Sequence, residues 1–278
     1  MNKHISYSEW KAFEKCPIFH KLQYVDKIDK FAGNVYTAFG TAIHEASYHI
    51  LRKNKFGTKV NLDYMDVFNQ HFDKEIDKLR ENGLCLDDKS KVMIYNFPTK
   101  ARKLLSNVMP SFRNYFKEFE IFSIEDELYE PIHEYDGEYY FKGFIDIVLK
   151  DVNNTLWIID LKTSRNGWRK EIRRQKETVY QLTYYKKFFC QKCNIDLSKR
   201  GESALVKTAF AIYKRDLAQN NIEFWNPTNM GTRINNAMKS LVHAINCIEN
   251  GLIFPSYGNC YDKLWKSTCQ YRYSEYCR

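Results

Sequence analysis

Proline and glycine are scarce in this sequence, 6 and 11 of 278 residues, and no internal repeat or low-complexity segment interrupts it. Disordered and collagen-like classes are thereby excluded, and with 20 Tyr and 19 Phe the chain reads as globular. No apolar run approaches the roughly 20 residues that span a bilayer. The opening MNKHISYSEW also lacks the apolar stretch of a signal peptide. The expectation is a cytoplasmic protein with no membrane partner, in the host cytoplasm if phage-encoded. In that reducing compartment the eight cysteines are free thiols or metal ligands rather than disulfides. Acids are in deficit, 34 against 43 Lys and Arg, and the net charge of +9 suits a polyanionic partner or simply a soluble basic protein. The length fits one large domain, or a domain with an insertion.

The most informative stretch is GFIDIVLKDVNNTLWIIDLKTS, Gly143 to Ser164. Phe144 to Leu149 and Leu156 to Leu161 are β-branched and aromatic-rich, which predicts strands covered on both faces, interrupted only by Asp146 and Asp160. A three-residue turn over Val152-Asn153-Asn154, with Asn154 left-handed, faces Asp151 with Thr155 and sets Asp146 opposite Asp160. The two carboxylates then share a face, with Cβ atoms ~5 Å apart, and Lys162 points the same way. A two-residue Asn-Asn turn instead sends the acids to opposite faces. Two buried carboxylates so close require protonation, a cation or hydrogen-bonding compensation. A divalent metal beside Lys162 supplies it.

Along the chain, Ser6-Tyr7-Ser8 offers helix caps before a run holding Trp10, Phe13, Cys16 and Phe19, kinked at Pro17. Cys16 there is by default a buried thiol. Phe39 to Lys53 reads as a helix starting at Gly40, with His44 in its first turns as a core or surface histidine unless a metal site lies nearby. From Val60 to Glu120 the chain is helix-rich, with a run from Leu62 to Leu79 and a second around Lys100 to Phe119. A first strand then opens at Glu125 and ends near Pro131. After the hairpin, Arg165 to Lys176 carries six basic residues against one acid. It is a solvated charged face or, following a metal centre, a set of phosphate contacts from Arg165, Arg169, Arg173 and Arg174 with Trp168 available for stacking. Gln181 and Tyr185, four apart, lie on one face of the next helix. Cys190 and Cys193 form a lone pair too few to fill a tetrahedral site. Ala204 to Tyr213 reads as a strand and Thr228 to Asn250 as a helix closed by Gly251. Cys260, Cys269 and Cys277 in the tail are surface thiols or, with Cys16, a ligand set.

Taken in order, GTAIH, GFID, IIDLK and QLTYY resemble the RecB-like branch of the PD-(D/E)XK nuclease superfamily, whose pattern is Gly-x-x-x-His, Gly-x-x-Asp, Asp-x-Lys and Gln-x-x-x-Tyr. Gly40 and His44, Gly143 and Asp146, Asp160 and Lys162, and Gln181 and Tyr185 match all four elements. The resemblance implies an α/β restriction-endonuclease-like core, a small mixed sheet flanked by helices, with a helical N-terminal region. It spans one domain, 1–278, with a helical insertion at about 57–118 and a cysteine-bearing tail at about 256–278. It further implies that His44, Asp146, Asp160 and the Leu161 carbonyl bind Mg²⁺ or Mn²⁺, that Asp146, Asp160 and Lys162 are catalytic, and that Gln181 and Tyr185 position DNA and support the site. The implied activity is metal-dependent DNA hydrolysis, exonucleolytic at ends or on single strands, in replication, recombination or repair, with a helicase or recombination partner and a phage or mobile-element origin; the alternative is a catalytically inactive nucleic-acid-binding or partner-binding module that retains the nuclease fold. A subset of the family carries a 4Fe-4S cluster on one cysteine before the His motif and three at the C-terminus spaced C-x2-C-x5-C. Cys16 fits the first, while Cys260, Cys269 and Cys277 are separated by eight and seven intervening residues, a departure from that spacing.

Overall fold

The computed structural model describes residues 3–28, 33–56, 63–83, 86–228, 231–256, 259–262, 267–272 and 275. A short strand, β1 (His4–Ser6), ends where the Ser6 side chain accepts the Glu9 N–H at 3.1 Å and so caps α1 (Tyr7–Lys15). Pro17 occupies the first position of α2 (Pro17–His20), giving the expected break. The His44 helix is α3 (Val35–Phe56). It starts before Gly40, contrary to expectation, because Asn34 Oδ1 accepts the Tyr36 and Thr37 N–H groups at 2.9 and 3.0 Å. Gly40 lies inside the helix, where an added Cβ would stand 3.2 Å from Thr163 Oγ1, so its small size lets the helix approach the sheet.

Three helices follow, α4 (Tyr64–Glu81), α5 (Asp88–Leu105) and α6 (Val108–Phe116). Asp87 caps α5 by accepting the Ser90 N–H at 2.8 Å, so the second helical run begins earlier than its apolar spacing indicated and passes through Pro98. The chain then turns into β2 (Phe119–Pro131), which opens six residues ahead of the expected Glu125. Next come β3 (Tyr140–Asp151), β4 (Leu156–Ser164), α7 (Lys170–Arg174), α8 (Lys176–Lys192), α9 (Arg200–Ala204), β5 (Val206–Lys214), β6 (Ile222–Trp225) and α10 (Gly231–Glu249). A two-stranded ribbon, β7 (Tyr261–Asp262) with β8 (Ser267–Thr268), lies in the tail.

The main sheet runs β1-β3-β4-β5-β6, with β2 paired along β3. Since β2 takes one edge of β3, β1 and β4 share the other: β1 pairs in parallel with Tyr140 to Lys142, and β4 antiparallel with Ile147 to Lys150. Residues 143–146, the GFID segment, fall in the gap between them. One core lies between the sheet and α3 to α6, holding Phe39, Phe68, Phe97, Ile159 and Leu161. The other lies against α1, α8 and α10, holding Trp10, Tyr184, Phe188, Phe210 and Leu241. Strand alternation explains the division, since Ile159 and Leu161 face one helical layer and Ile158 the other. The structure is thus a mixed α/β fold consistent with a restriction-endonuclease-like core. Phe39 is fully buried, with ring centroids 4.6 Å from Phe97 and 5.7 Å from Phe68. Phe39→Ala is expected to cost about 3–5 kcal/mol of stability in denaturant titration, through the cavity it leaves beneath α3.

Candidate active site

The turn between β3 and β4 has the three-residue form. Asn154 takes φ +59°, and Asp151 and Thr155 are joined by the Asp151 N–H donating to the Thr155 carbonyl at 3.0 Å. Ile147 pairs with Ile159, but the ladder stops there, one rung short of Asp146 and Asp160. Beyond that point the Asp146 side chain takes over, and its Oδ2 accepts the Leu161 N–H at 2.6 Å. The acids therefore do not share a face as the turn alone implied: Asp146 is bonded from α3 and Asp160 from α8, on opposite sides of the sheet. Asp146 reaches over the gap in the sheet to the backbone of β4. Opposite it on β2, Glu125 adopts φ +55° and drops out of the pairing with β3, which marks the same position as a kink.

Two helices deliver the remaining groups from opposite faces of the sheet. From α3, Tyr48 donates its hydroxyl to Asp146 Oδ1 at 2.7 Å, and His44 Nδ1 lies 3.9 Å from Asp146 Oδ2. The Leu161 carbonyl lies near enough to the His44 ring to favour its protonated form. From α8, Gln181 Nε2 donates to Asp160 Oδ1 at 2.7 Å and approaches the Tyr185 hydroxyl at 3.4 Å. Gln181 and Tyr185 are each 7% exposed, so both press on the buried carboxylate rather than project into solvent. Gly143 makes this possible, since an added Cβ would lie 3.1 Å from the Tyr185 ring. Lys162 Nζ stands 2.6 Å from Asp160 Oδ2, off the hydrogen-bonding directions, so that buried oxygen has an ionic partner but no aligned donor.

His44, Asp146, Asp160, Lys162, Gln181 and Tyr185 are thus brought together, with the Leu161 carbonyl among them. Tyr48 was not anticipated, though its place four residues after His44 on one helix was a signal available in the sequence. The basic segment is more dispersed. Arg165 pairs through Nε with Asp216 at 3.0 Å, and Arg173 pairs with Glu223 and lies over the Trp225 ring. Trp168 packs 4.9 Å from Phe210 and 6.0 Å from Trp225, at the edge of the core instead of standing free among the charges. Arg169 and Arg174 are exposed.

Burial dominates the electrostatics. It raises the Asp160 carboxyl from 3.8 to about 7; the Lys162 ammonium opposes this rise and Asp146 adds to it. Burial lowers the pKa of His44, against the pull of Asp146, so its imidazole is neutral and able to act as a ligand. Burial also works against the charge of Lys162, but the two carboxylates outweigh it and hold the ammonium charged. The donor set, two carboxylates, a main-chain carbonyl and one neutral imidazole, fits a hard divalent cation. Among the described residues no three His, Cys, Asp or Glu side chains stand close enough to hold a metal ion as they are placed. A cation at this point competes with Lys162 for the unaligned oxygen of Asp160.

The family model of the PD-(D/E)XK nuclease superfamily matches residues 4–273. This chain belongs to that superfamily. Among solved structures, a protein of Eubacterium rectale described as a candidate exonuclease aligns at 12% identity over 91% of this chain and 84% of its own, with a TM-score of 0.53, and shares the fold of this nuclease. A second, SSO0001, aligns at 13% identity over 86% and 85% with a TM-score of 0.32, too low for comparison. No curated protein matches the sequence.

The cysteines expected beyond this site divide similarly. Cys16, Cys260 and Cys269 line one small cavity between the α1–α2 corner and the tail, with the Ser256 N–H donating to Cys16 Sγ at 3.4 Å. As placed, these three thiols do not stand close enough together to hold a metal ion, and Cys277 lies outside the described residues. Cys190 and Cys193 are free thiols, and burial pushes the Cys190 thiol up to about 12.

The raised pKa of Asp160 favours the protonated fold, so this group's stabilising contribution is complete below about pH 4 and is lost as pH rises through about 7. A cation needs the ionised form. Mg²⁺ or Mn²⁺ is therefore expected to raise the melting temperature more at pH 8 than at pH 6. With the ion at about a hundred times its Kd the gain is about 2.7 kcal/mol, or several degrees. Calorimetry with and without metal checks this, and Asp160→Asn is expected to abolish both the gain and its pH dependence.

Proposed function

We propose that this nuclease is a Mg²⁺- or Mn²⁺-dependent deoxyribonuclease of the RecB-like branch that acts as an exonuclease on ends or single strands in DNA replication, recombination or repair. The observation that carries the reading is the meeting of two carboxylates, a charged lysine and a neutral histidine at one gap in the sheet. The order of the four motifs along the chain supports the branch. Asp146, Asp160, the Leu161 carbonyl and His44 are the residues that would hold the metal. When bound, the cation takes up charge developing on the scissile phosphate and makes an attacking water more acidic.

The protein's own groups perform the positioning. Gln181 fixes Asp160 through Oδ1, leaving Oδ2 to the Lys162 ammonium. Tyr48 and the Leu161 N–H do the same for Asp146 by holding one oxygen each. Lys162 orients the water and places its ammonium where negative charge grows on the phosphate, in a site where burial strengthens that attraction. Exposed Arg169 and Arg174 provide phosphate contacts flanking the site. Cys16, Cys260 and Cys269, with Cys277 as the fourth thiol that the resemblance implies, are read as the ligands of a 4Fe-4S cluster, a structural role with no redox step required.

Lys162→Ala is expected to reduce cleavage of labelled DNA by at least about a hundredfold with its melting temperature near wild type, and EDTA to abolish cleavage by the wild type. Undiminished cleavage by purified Lys162→Ala protein contradicts the mechanism. For the cluster, protein purified without oxygen is expected to be brown, and Cys16→Ser to lose the colour; colourless, iron-free wild-type protein removes the assignment.

A further inference from the structure

One face of the sheet leading away from the site carries aromatic side chains that belong to neither core. Along β3, Phe141 and Ile145 are fully buried in the α8 core and Gly143 faces the Tyr185 ring. Alternation therefore turns Tyr140, Lys142, Phe144 and Asp146 the other way. Directly opposed residues share a face, which adds His4 from β1 and Tyr129 and Glu127 from β2. Ring contacts agree with this assignment: Tyr129 and Tyr140 stack at 4.9 Å with 13° between their planes, and His4 lies 6.2 Å from Tyr129. Phe144 is 50% exposed and touches no other ring among the described residues. Lys142 has no ion-pair partner among them.

The geometry points to this face as a track for single-stranded nucleic acid, with Phe144 stacking on a base beside the scissile phosphate and the Tyr129–Tyr140 pair meeting bases further on. The inference rests on the nuclease reading for its starting point, Asp146. From there every second residue of β3 advances about 6.6 Å, close to the backbone repeat of an extended polynucleotide. Exposed rings discriminate in favour of unpaired bases, because a base in a duplex has both faces covered by its neighbours, whereas an unpaired base offers one to an aromatic side chain. Glu127, directly across from Phe144, prevents this face from being a continuous basic patch. Attraction here comes from stacking, aided by Lys142, and the salt dependence of binding is accordingly shallow for a nucleic-acid site.

The test is fluorescence anisotropy with labelled oligothymidylate and a duplex of equal length, both in EDTA so that binding is read without cleavage. Phe144→Ala is expected to weaken oligothymidylate binding about tenfold, Phe144→Tyr to restore it to within about twofold, and duplex binding to change by less than about twofold. Because Phe144 is half exposed, its removal leaves the core intact, which a thermal melt verifies; Lys142→Glu serves as a second variant with the same expected selectivity. Wild-type affinity in both Phe144→Ala and Lys142→Glu, equal losses on the two DNA forms, or no oligothymidylate binding by the wild type overturns the proposal. Failure of the nuclease reading is seen separately: a wild type that binds oligothymidylate through Phe144 yet cleaves no DNA with Mg²⁺ or Mn²⁺ keeps the track and loses the enzyme.

Discussion

Two carboxylates and an ammonium buried together carry a desolvation penalty of several kcal/mol unless each polar atom finds a partner, and the sheet around residues 143–146 is shaped by that requirement. A continuous ladder between β3 and β4 would occupy the Leu161 N–H with a backbone carbonyl. The open edge of β3 leaves that donor to Asp146 instead, and Tyr48 satisfies the other oxygen. Asp160 is held by Gln181 on one side and by the charge of Lys162 on the other. One oxygen in this cluster lacks an aligned donor, and it is the Asp160 oxygen beside the Lys162 ammonium.

Because the partners come from both helical layers, the site depends on both cores. The α3 helix, supported from behind by α4 to α6, brings His44 and Tyr48, while α8, packed on α1 and α10, brings Gln181 and Tyr185. Glycines permit the two approaches, Gly40 beneath Thr163 and Gly143 beneath Tyr185. A change in either layer that shifts its helix is transmitted directly to a carboxylate. The Lys162–Asp160 contact has a related effect, since it sets an ammonium against the buried carboxylate that α8 positions.

Local chemistry made much of this legible in advance. Asn154 tolerates a left-handed backbone, so a three-residue turn was among the available forms, and that turn brings the two acids near one another. The 3.6-residue period put Gln181 and Tyr185 on one face, and Gly251, at φ +65°, closes α10 where a terminating glycine was expected. The starts of α3 and α5 were misplaced because apolar spacing locates a helix's buried face, whereas Asn34 and Asp87, outside that pattern, decide where the backbone begins to wind.

By itself the sequence determined the order of the candidate site residues and the three-residue form open to the turn between them, since those follow from local spacing and turn propensity. Only the tertiary structure decided their partners. That β1 and β4 share one edge of β3, that Tyr48 bonds an acid 98 positions away, and that Trp168 is covered by Phe210 and Trp225 all depend on contacts between distant elements. No local period encodes such contacts. The cause is the packing of two helical layers onto one sheet, which selects among many sterically allowed neighbours for each side chain.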